Sequence, residues 1–88
     1  MTVDTEKLKK AVPSNLEVFR GTQKLSQYEL GNLLNPPKNQ AQISHYESGI
    51  HKPSDDTLSQ LKDILHFPLE AGKLLDSFDV KDFEEAVA

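Results

Sequence analysis

Apolar residues in this 88-residue chain recur at intervals of three and four, and nowhere do they alternate strictly with polar ones. That spacing predicts helices. Strands are not expected, since there is no alternating β-branched run and no Asn-Gly or Asp-Gly hairpin signal. Thr5 to Val12 reads as an opening helix that Pro13 interrupts. Ser14-Asn-Leu-Glu17 then has the form of a capping box, in which a hydroxyl serves free N–H groups and a Glu reaches back three residues later. Leu16 and Phe19 follow at helical spacing, and Gly21 or Lys24 ends that element. Ser26-Gln-Tyr-Glu29 repeats the box and starts a helix with Leu30, Leu33 and Leu34 on one stripe. Gly31 inside this helix costs about 1 kcal/mol relative to Ala, which a close approach by another helix would offset.

Asn35-Pro-Pro-Lys38 cannot remain helical, because the residue before each proline is pushed toward extended geometry. Asn39 is a good N-cap, Gln42 occupies the capping-box position, and Gly49 suits the left-handed residue after a helix. The next helix therefore spans about Gln40 to Ser48, with Ile43 and Tyr46 inward. Pro53-Ser54-Asp55-Asp56 starts another, its carboxylates suited to the positive end of the dipole. Its core stripe is Leu58, Leu61, Ile64 and Leu65, and Phe67-Pro68 stops it. Pro68 begins a fifth helix through Leu74, Leu75 and Phe78, and Val80, Phe83 and Val87 predict a further amphipathic helix. The chain is read as all-α, with a helical N-terminal extension (1–13), a core domain (14–76) and an acidic amphipathic tail (77–88).

Composition narrows the class. Apolar residues are 36% and charged residues 27% of the chain, as in a globular domain. There is no cysteine, which excludes a disulfide framework and thiolate metal sites and fits a cytoplasmic protein. Apolar runs are far too short for a membrane span or a signal peptide. The net charge of −4 argues at first against nucleic acid, but the charge is unevenly spread. Residues 1–52 hold seven Lys/Arg against five Asp/Glu, whereas residues 53–88 hold three Lys against nine Asp/Glu. A mildly basic front and an acidic back suit a protein that turns one face to phosphate; acidic helices also simply keep a small protein in solution.

The helix at 40–48 offers solvent Gln40, Ala41, Gln42, Ser44, His45 and Ser48, all small or hydrogen-bonding, which fits the groove of DNA. A glutamine amide matches the N6 donor and N7 acceptor of adenine, with Gln40 the leading candidate, the methyl of Ala41 suits a thymine methyl, and His45 donates to guanine or phosphate. Taken alone, the same residues are also an ordinary polar helix face. Phosphates suit the helix N-termini at Ser26 and Asn39, with Lys24, Gln27, Lys38, His51 and Lys52 around them. So few cations predict weak sequence-independent binding with a shallow salt dependence. No enzyme is expected: there is no phosphate loop, nucleophile elbow or dinucleotide fingerprint. His45, His51 and His66 lack metal-ligand spacing, so neither metal nor cofactor is expected. Asp55 and Asp56 are read as helix-start charges.

From Leu16 to Glu70 the sequence resembles the Cro/C1-type helix-turn-helix family, which includes lambdoid phage repressors and Xre-like bacterial regulators. The match is carried by Leu16, Phe19, Arg20, Leu25, Ser26-Gln27, Leu30-Gly31 and Leu34. It continues through Gln42-Ile43-Ser44, Glu47, Gly49, Lys52-Pro53-Ser54, Leu58, Leu61 and Leu65. The resemblance implies a five-helix lambda-repressor-like DNA-binding domain, with the helix-turn-helix at 26–49 and its second helix in the major groove. It implies base contacts near Gln40, Ala41 and Gln42, with Ser44 and His45 a turn further on. It also implies a phosphate contact by Gln27, which braces Gln40, and an Arg20–Glu47 ion pair locking the first of these helices to the third. Between Leu34 and Ile43 the chain is two residues longer than the family's usual spacing, which moves Lys38 toward the sugar-phosphate backbone.

The apolar tail (Leu74, Leu75, Phe78, Val80, Phe83, Val87) exceeds what such a core needs, and a shared exposed patch would mark an interface. Homodimerisation on two half-sites is one reading, a protein partner gripped by the acidic tail a second, and a tail folded onto its own core a third. Two functions follow. One is a sequence-specific regulator, a repressor of a phage or plasmid, acting on double-stranded DNA at the bacterial nucleoid. The other is an antitoxin or accessory module that uses the same fold mainly to bind protein.

Overall fold

The computed structural model describes residues 12–87, and their side chains as far as Glu84. Five α-helices follow one another: α1 (Asn15–Thr22), α2 (Gln27–Leu33), α3 (Gln40–Ser48), α4 (Asp55–Leu65) and α5 (Val80–Val87), with a 3-10 helix at Ala71–Leu75 between the last two. Among the described residues there is no strand, only one isolated antiparallel bridge between Ser14 and Ser77. The expected opening helix lies outside the described residues, except that Val12 and Pro13 are not helical.

The helix starts follow from capping chemistry. Ser14, Ser26, Asn39 and Ser54 are each extended at their own backbone and accept from the amide three residues on. At Ser26/Glu29 and Asn39/Gln42 the reciprocal bond is also made, so two otherwise free donors are satisfied at each site. The ends are as specific. Gly49 closes α3 at φ 82, and Lys24 (φ 58) and His66 (φ 54) hold left-handed geometry after α1 and α4. At α4 the His66 amide donates to Asp63 and the Phe67 amide to Lys62, the paired arrangement that consumes a helix's last carbonyls.

Leu16, Leu30, Leu34, Ile43, Tyr46, Leu58, Leu61, Leu65, Phe67 and Leu74 form one core. Leu33, expected in the α2 stripe, is instead 54% exposed. At 100° per residue, Leu30, Leu34 and Gly31 fall within one arc, whereas Leu33 stands well to its other side. The fifth expected helix is also different. Residues 68–78 make only the short 3-10 helix, because α1 competes for their backbone. Asn15 is fully buried; its amide N–H donates to the Asp76 carbonyl and its Nδ2 to the Lys73 carbonyl, both at 2.8 Å. The Phe78 N–H donates to Pro13, and Asp76 is extended. These tertiary bonds pull the chain straight before an α-helix can continue.

The predicted last helix forms, as α5, and it covers the protein's own core. Phe83 packs within 5.2–5.9 Å of the rings of Phe19, Phe67 and Phe78. Leu74, read as part of a partner surface, is completely buried, and Val80 is the residue of that set that stands out to solvent, 57% exposed. The side chain of Val87 lies outside the described residues.

Gly31 is required by a turn, not by a helix. A Cβ there would lie 2.0 Å from the Lys38 carbonyl oxygen, and the Lys38 amide donates to the Gly31 carbonyl at 3.0 Å. Gly31→Ala should therefore lower stability by about 2 kcal/mol in urea denaturation despite alanine's higher helix propensity, because backbone must move to admit the methyl. A stabilised variant would show that the turn can lift away freely. Glu29 offers a pH test: hydrogen bonds from the Ser26 backbone and hydroxyl hold its carboxyl below its usual value. With the folded value depressed, this cap contributes above the unfolded carboxylate range and is lost as pH falls through the lower folded value. The Ser26 amide resonance should titrate in that acidic window and be flat above it.

Candidate nucleic-acid interface

The recognition candidates sit on and around α3, so its orientation decides what they can do. Ile43 and Tyr46 are buried and fix the inward side. At 100° per residue the opposite side is led by Ala41, Ser44, His45 and Ser48, with Gln40 and Gln42 on its flanks. Ala41 and Ser48 are exposed, Ser44 and His45 half-buried. This is a shallow face of short side chains between two amides, a shape that lets a helix approach the floor of a groove. Ser44 and Ser48 also edge a cleft of about 240 Å³ shared with Gln27, Glu47 and Ser14.

A polar relay holds α3 to the helices beside it. Arg20 of α1 donates through Nε and Nη2 to the two carboxylate oxygens of Glu47 at 2.5 and 3.2 Å, and through Nη1 to the Leu25 carbonyl at 2.9 Å. Gln27, the first residue of α2, donates Nε2 to Glu47 Oε1 at 2.9 Å. Its oxygen then accepts from Gln40 Nε2 at 3.5 Å, the outer limit of such a bond. The Glu47 side chain is only 3% exposed. Since a carboxylate can only accept, each amide orientation is forced in turn, from Glu47 to Gln27 to Gln40.

The two glutamines of α3 are not equivalent. Gln42 Oε1 accepts from the Asn39 amide in the capping box, so this oxygen is turned back toward the helix start with one lone pair engaged. Gln40 is exposed, and its oxygen and one N–H remain open. Bidentate pairing with adenine uses a donor and an acceptor side by side, which Gln40 offers more freely than Gln42.

Around this face, Ser26, Asn39, Lys24, His51 and Lys52 are exposed and Gln27 and Lys38 half-buried. The structure thus brings Gln27, Gln40, Ser44 and Glu47 together at the α2–α3 junction, and pairs His51 with His45 at 5.1 Å between ring centroids. Two features escaped the sequence. Tyr28, on the first turn of α2, is 63% exposed and so offers its hydroxyl to solvent. Gln60 of α4 bonds to the α2–α3 turn through the Asn35 backbone. The one sequence signal for either was position: Tyr28 follows Gln27 directly, while nothing in the spacing of Gln60 pointed to the turn.

With this geometry in place, comparison with known families is decisive for the framework. Residues 16–71, well over half of the chain, match the helix-turn-helix family, and the chain belongs to it as a Cro/C1-type, Xre-like DNA-binding regulator. No curated protein and no solved structure matches significantly. None of the described helices is long and apolar enough to cross a membrane.

The burial of Glu47 makes the relay testable. Arg20→Ala would strand a charge whose remaining partner is one neutral amide, and should cost about 3–5 kcal/mol of stability in chemical denaturation. Arg20→Lys keeps the charge without the two-pronged contact and should fall between. A loss below about 1 kcal/mol, the range of exposed pairs, would mean that water reaches the carboxylate.

Proposed function

We propose that this protein is a sequence-specific double-stranded DNA-binding repressor that reads the major groove with α3 and acts by occluding a promoter. The observation that carries the reading is the orientation of Gln40, whose free donor and acceptor are aimed from the exposed flank of α3 by the Glu47–Gln27 relay. Gln40 contacts a base edge, Ala41 and Ser44 let the helix seat deeply, and Gln42 and His45 donate from either side. Gln27, Tyr28 and the free amides at the starts of α2 and α3 take phosphate oxygens, with Lys24, Lys38, His51 and Lys52 supplying charge. Two protomers on an inverted repeat would double a modest set of contacts, so we assign the functional form as a homodimer on DNA.

A second reading has its own support. Asp79 just before α5, and Asp82 and Glu84 on it, are exposed together with Val80 and Lys81, a net acidic surface that suits a basic protein partner. In that case the fold serves an antitoxin or accessory role.

Selection of bound sites from random duplex, followed by sequencing, separates the two. The expected result is an enriched inverted repeat with half-site centres about one helical turn apart. A single half-site would remove the dimer, and no enriched motif at low salt would remove the sequence-specific reading. Gln40→Ala should weaken the enriched site by about 1–3 kcal/mol and relax one base position. Equal weakening on every sequence would show that Gln40 reads no base.

A further inference from the structure

The turn between α2 and α3 contains two prolines, so only four of its six residues, 34–39, have an N–H to satisfy. All four have partners. The Leu34 and Lys38 amides donate to the Gly31 carbonyl at 3.3 and 3.0 Å, and the Asn39 amide to Gln42 Oε1 at 3.0 Å. These three bonds stay within the helix-turn-helix. The fourth does not: the Asn35 amide donates to Gln60 Oε1 at 2.8 Å, while Gln60 Nε2 donates back to the Asn35 carbonyl at 2.9 Å. One side chain of α4 thus pairs with a backbone residue as a neighbouring strand would, through both donor and acceptor.

The orientation of that amide is fixed from behind. Gln60 Nε2 also donates to Asp56 Oδ2 at 3.0 Å, one turn earlier on α4. A carboxylate accepts only, so the nitrogen must face Asp56 and the oxygen must face the Asn35 N–H. Meanwhile α4 is anchored in the core by Leu58, Leu61 and Leu65. The Asp56–Gln60 pair is therefore a rigid reference against which the long turn is set.

We propose that Gln60 is a positioning residue for DNA recognition: by clamping Asn35 it fixes the path of the turn, and with it the placement of the first turn of α3 and of Gln40. The proposal rests on the reading of α3 as the base-contacting helix. The far half of α3 is held independently by Ile43, Tyr46 and Glu47. Loss of the clamp accordingly displaces the N-terminal end of α3 without unfolding the domain.

The test compares wild type with Gln60→Ala, Gln60→Glu and Asp56→Asn, measuring affinity for the selected site and for random duplex, and exchange of the Asn35 amide proton by NMR. Gln60→Ala should bind the selected site about tenfold more weakly, within the range of one lost base contact. Its binding to random duplex, which depends on phosphate contacts, should change by less than about twofold. The Asn35 amide should lose its protection. Gln60→Glu keeps length and helix propensity but replaces the donor by a like charge beside Asp56, and should show the same selective loss. Asp56→Asn keeps an acceptor for Nε2 and should behave as wild type. Equal losses on both duplexes, or an unprotected Asn35 amide in the wild-type protein, would overturn the proposal, as would unchanged affinity in both Gln60 variants. A wild-type protein that enriches no site would overturn instead the DNA reading beneath it.

Discussion

Glu47 carries its charge at a position where its side chain is only 3% exposed, and the arrangement of three helices follows from satisfying it. Taking a carboxylate out of water costs several kcal/mol even after relaxation. That cost is offset only if partners converge on it, and here they come from α1 and from the start of α2. Arg20 also holds the Leu25 carbonyl, in the segment that leads into α2. So one buried charge ties together the last turn of α1, the start of α2 and the last turn of α3. A hydrophobic cluster could hold the same helices with equal strength, but it would tolerate rotation about the α3 axis. The forked Arg20–carboxylate contact does not, because both oxygens must be met in one plane.

The turn supplies the second constraint, and it acts on position along α3 instead of rotation about it. Gly31 allows the Lys38 carbonyl to lie where any Cβ would be, so the chain leaving α2 folds back against the helix it has just left. Asn39 then opens α3 with its own capping box. A six-residue turn would ordinarily loosen such a joint. Here two prolines leave few amides to satisfy, and Gln60 satisfies the one that would otherwise face away from the motif. The turn is thereby tied to α4, and the motif's two ends keep local hydrogen-bond geometry.

How far the sequence foretold this depends on the range of the interaction. Ser26, Glu29, Asn39, Gln42 and Gly49 act within one helical turn, and their roles were legible from spacing because capping is local chemistry. The core stripes of α3 and α4 were legible for the same reason. Leu33 was misplaced because three leucines within five residues do not say which edge of the stripe faces inward; Gly31, needed by the turn, decided that. The fifth helix failed for a tertiary reason: Asn15, 58 residues before Lys73, takes the carbonyls of Lys73 and Asp76. The Arg20–Glu47 contact was implied only by family resemblance, and the Gln60 clamp by nothing in the pattern. Among the candidate contacts, the sequence identified the face of α3 and favoured Gln40 over Gln42 for adenine. The difference arises from a bond that the capping rule itself predicts.

That difference bears on how, under the proposed function, a protein with a net charge of −4 would select a DNA sequence. Phosphate attraction is sequence-blind and here is supplied by few cations, so little affinity is available to sites of the wrong sequence. Discrimination is then a larger share of the total than in a strongly basic protein, and it depends on geometry at the base edges. A flexible glutamine would lose much of that advantage by ordering its side chain on contact. Gln40 is partly ordered beforehand, since its nitrogen is drawn toward Gln27, whose orientation is dictated by Glu47. The acidic α5, held on the opposite end of the sequence by Phe83 against Phe19 and Phe67, adds repulsion toward any duplex that approaches from its own face. Weak general attraction, an ordered amide and a repelling face all act in the same direction. They would suit the proposed function, in which the protein binds few sites and leaves the rest of the DNA free.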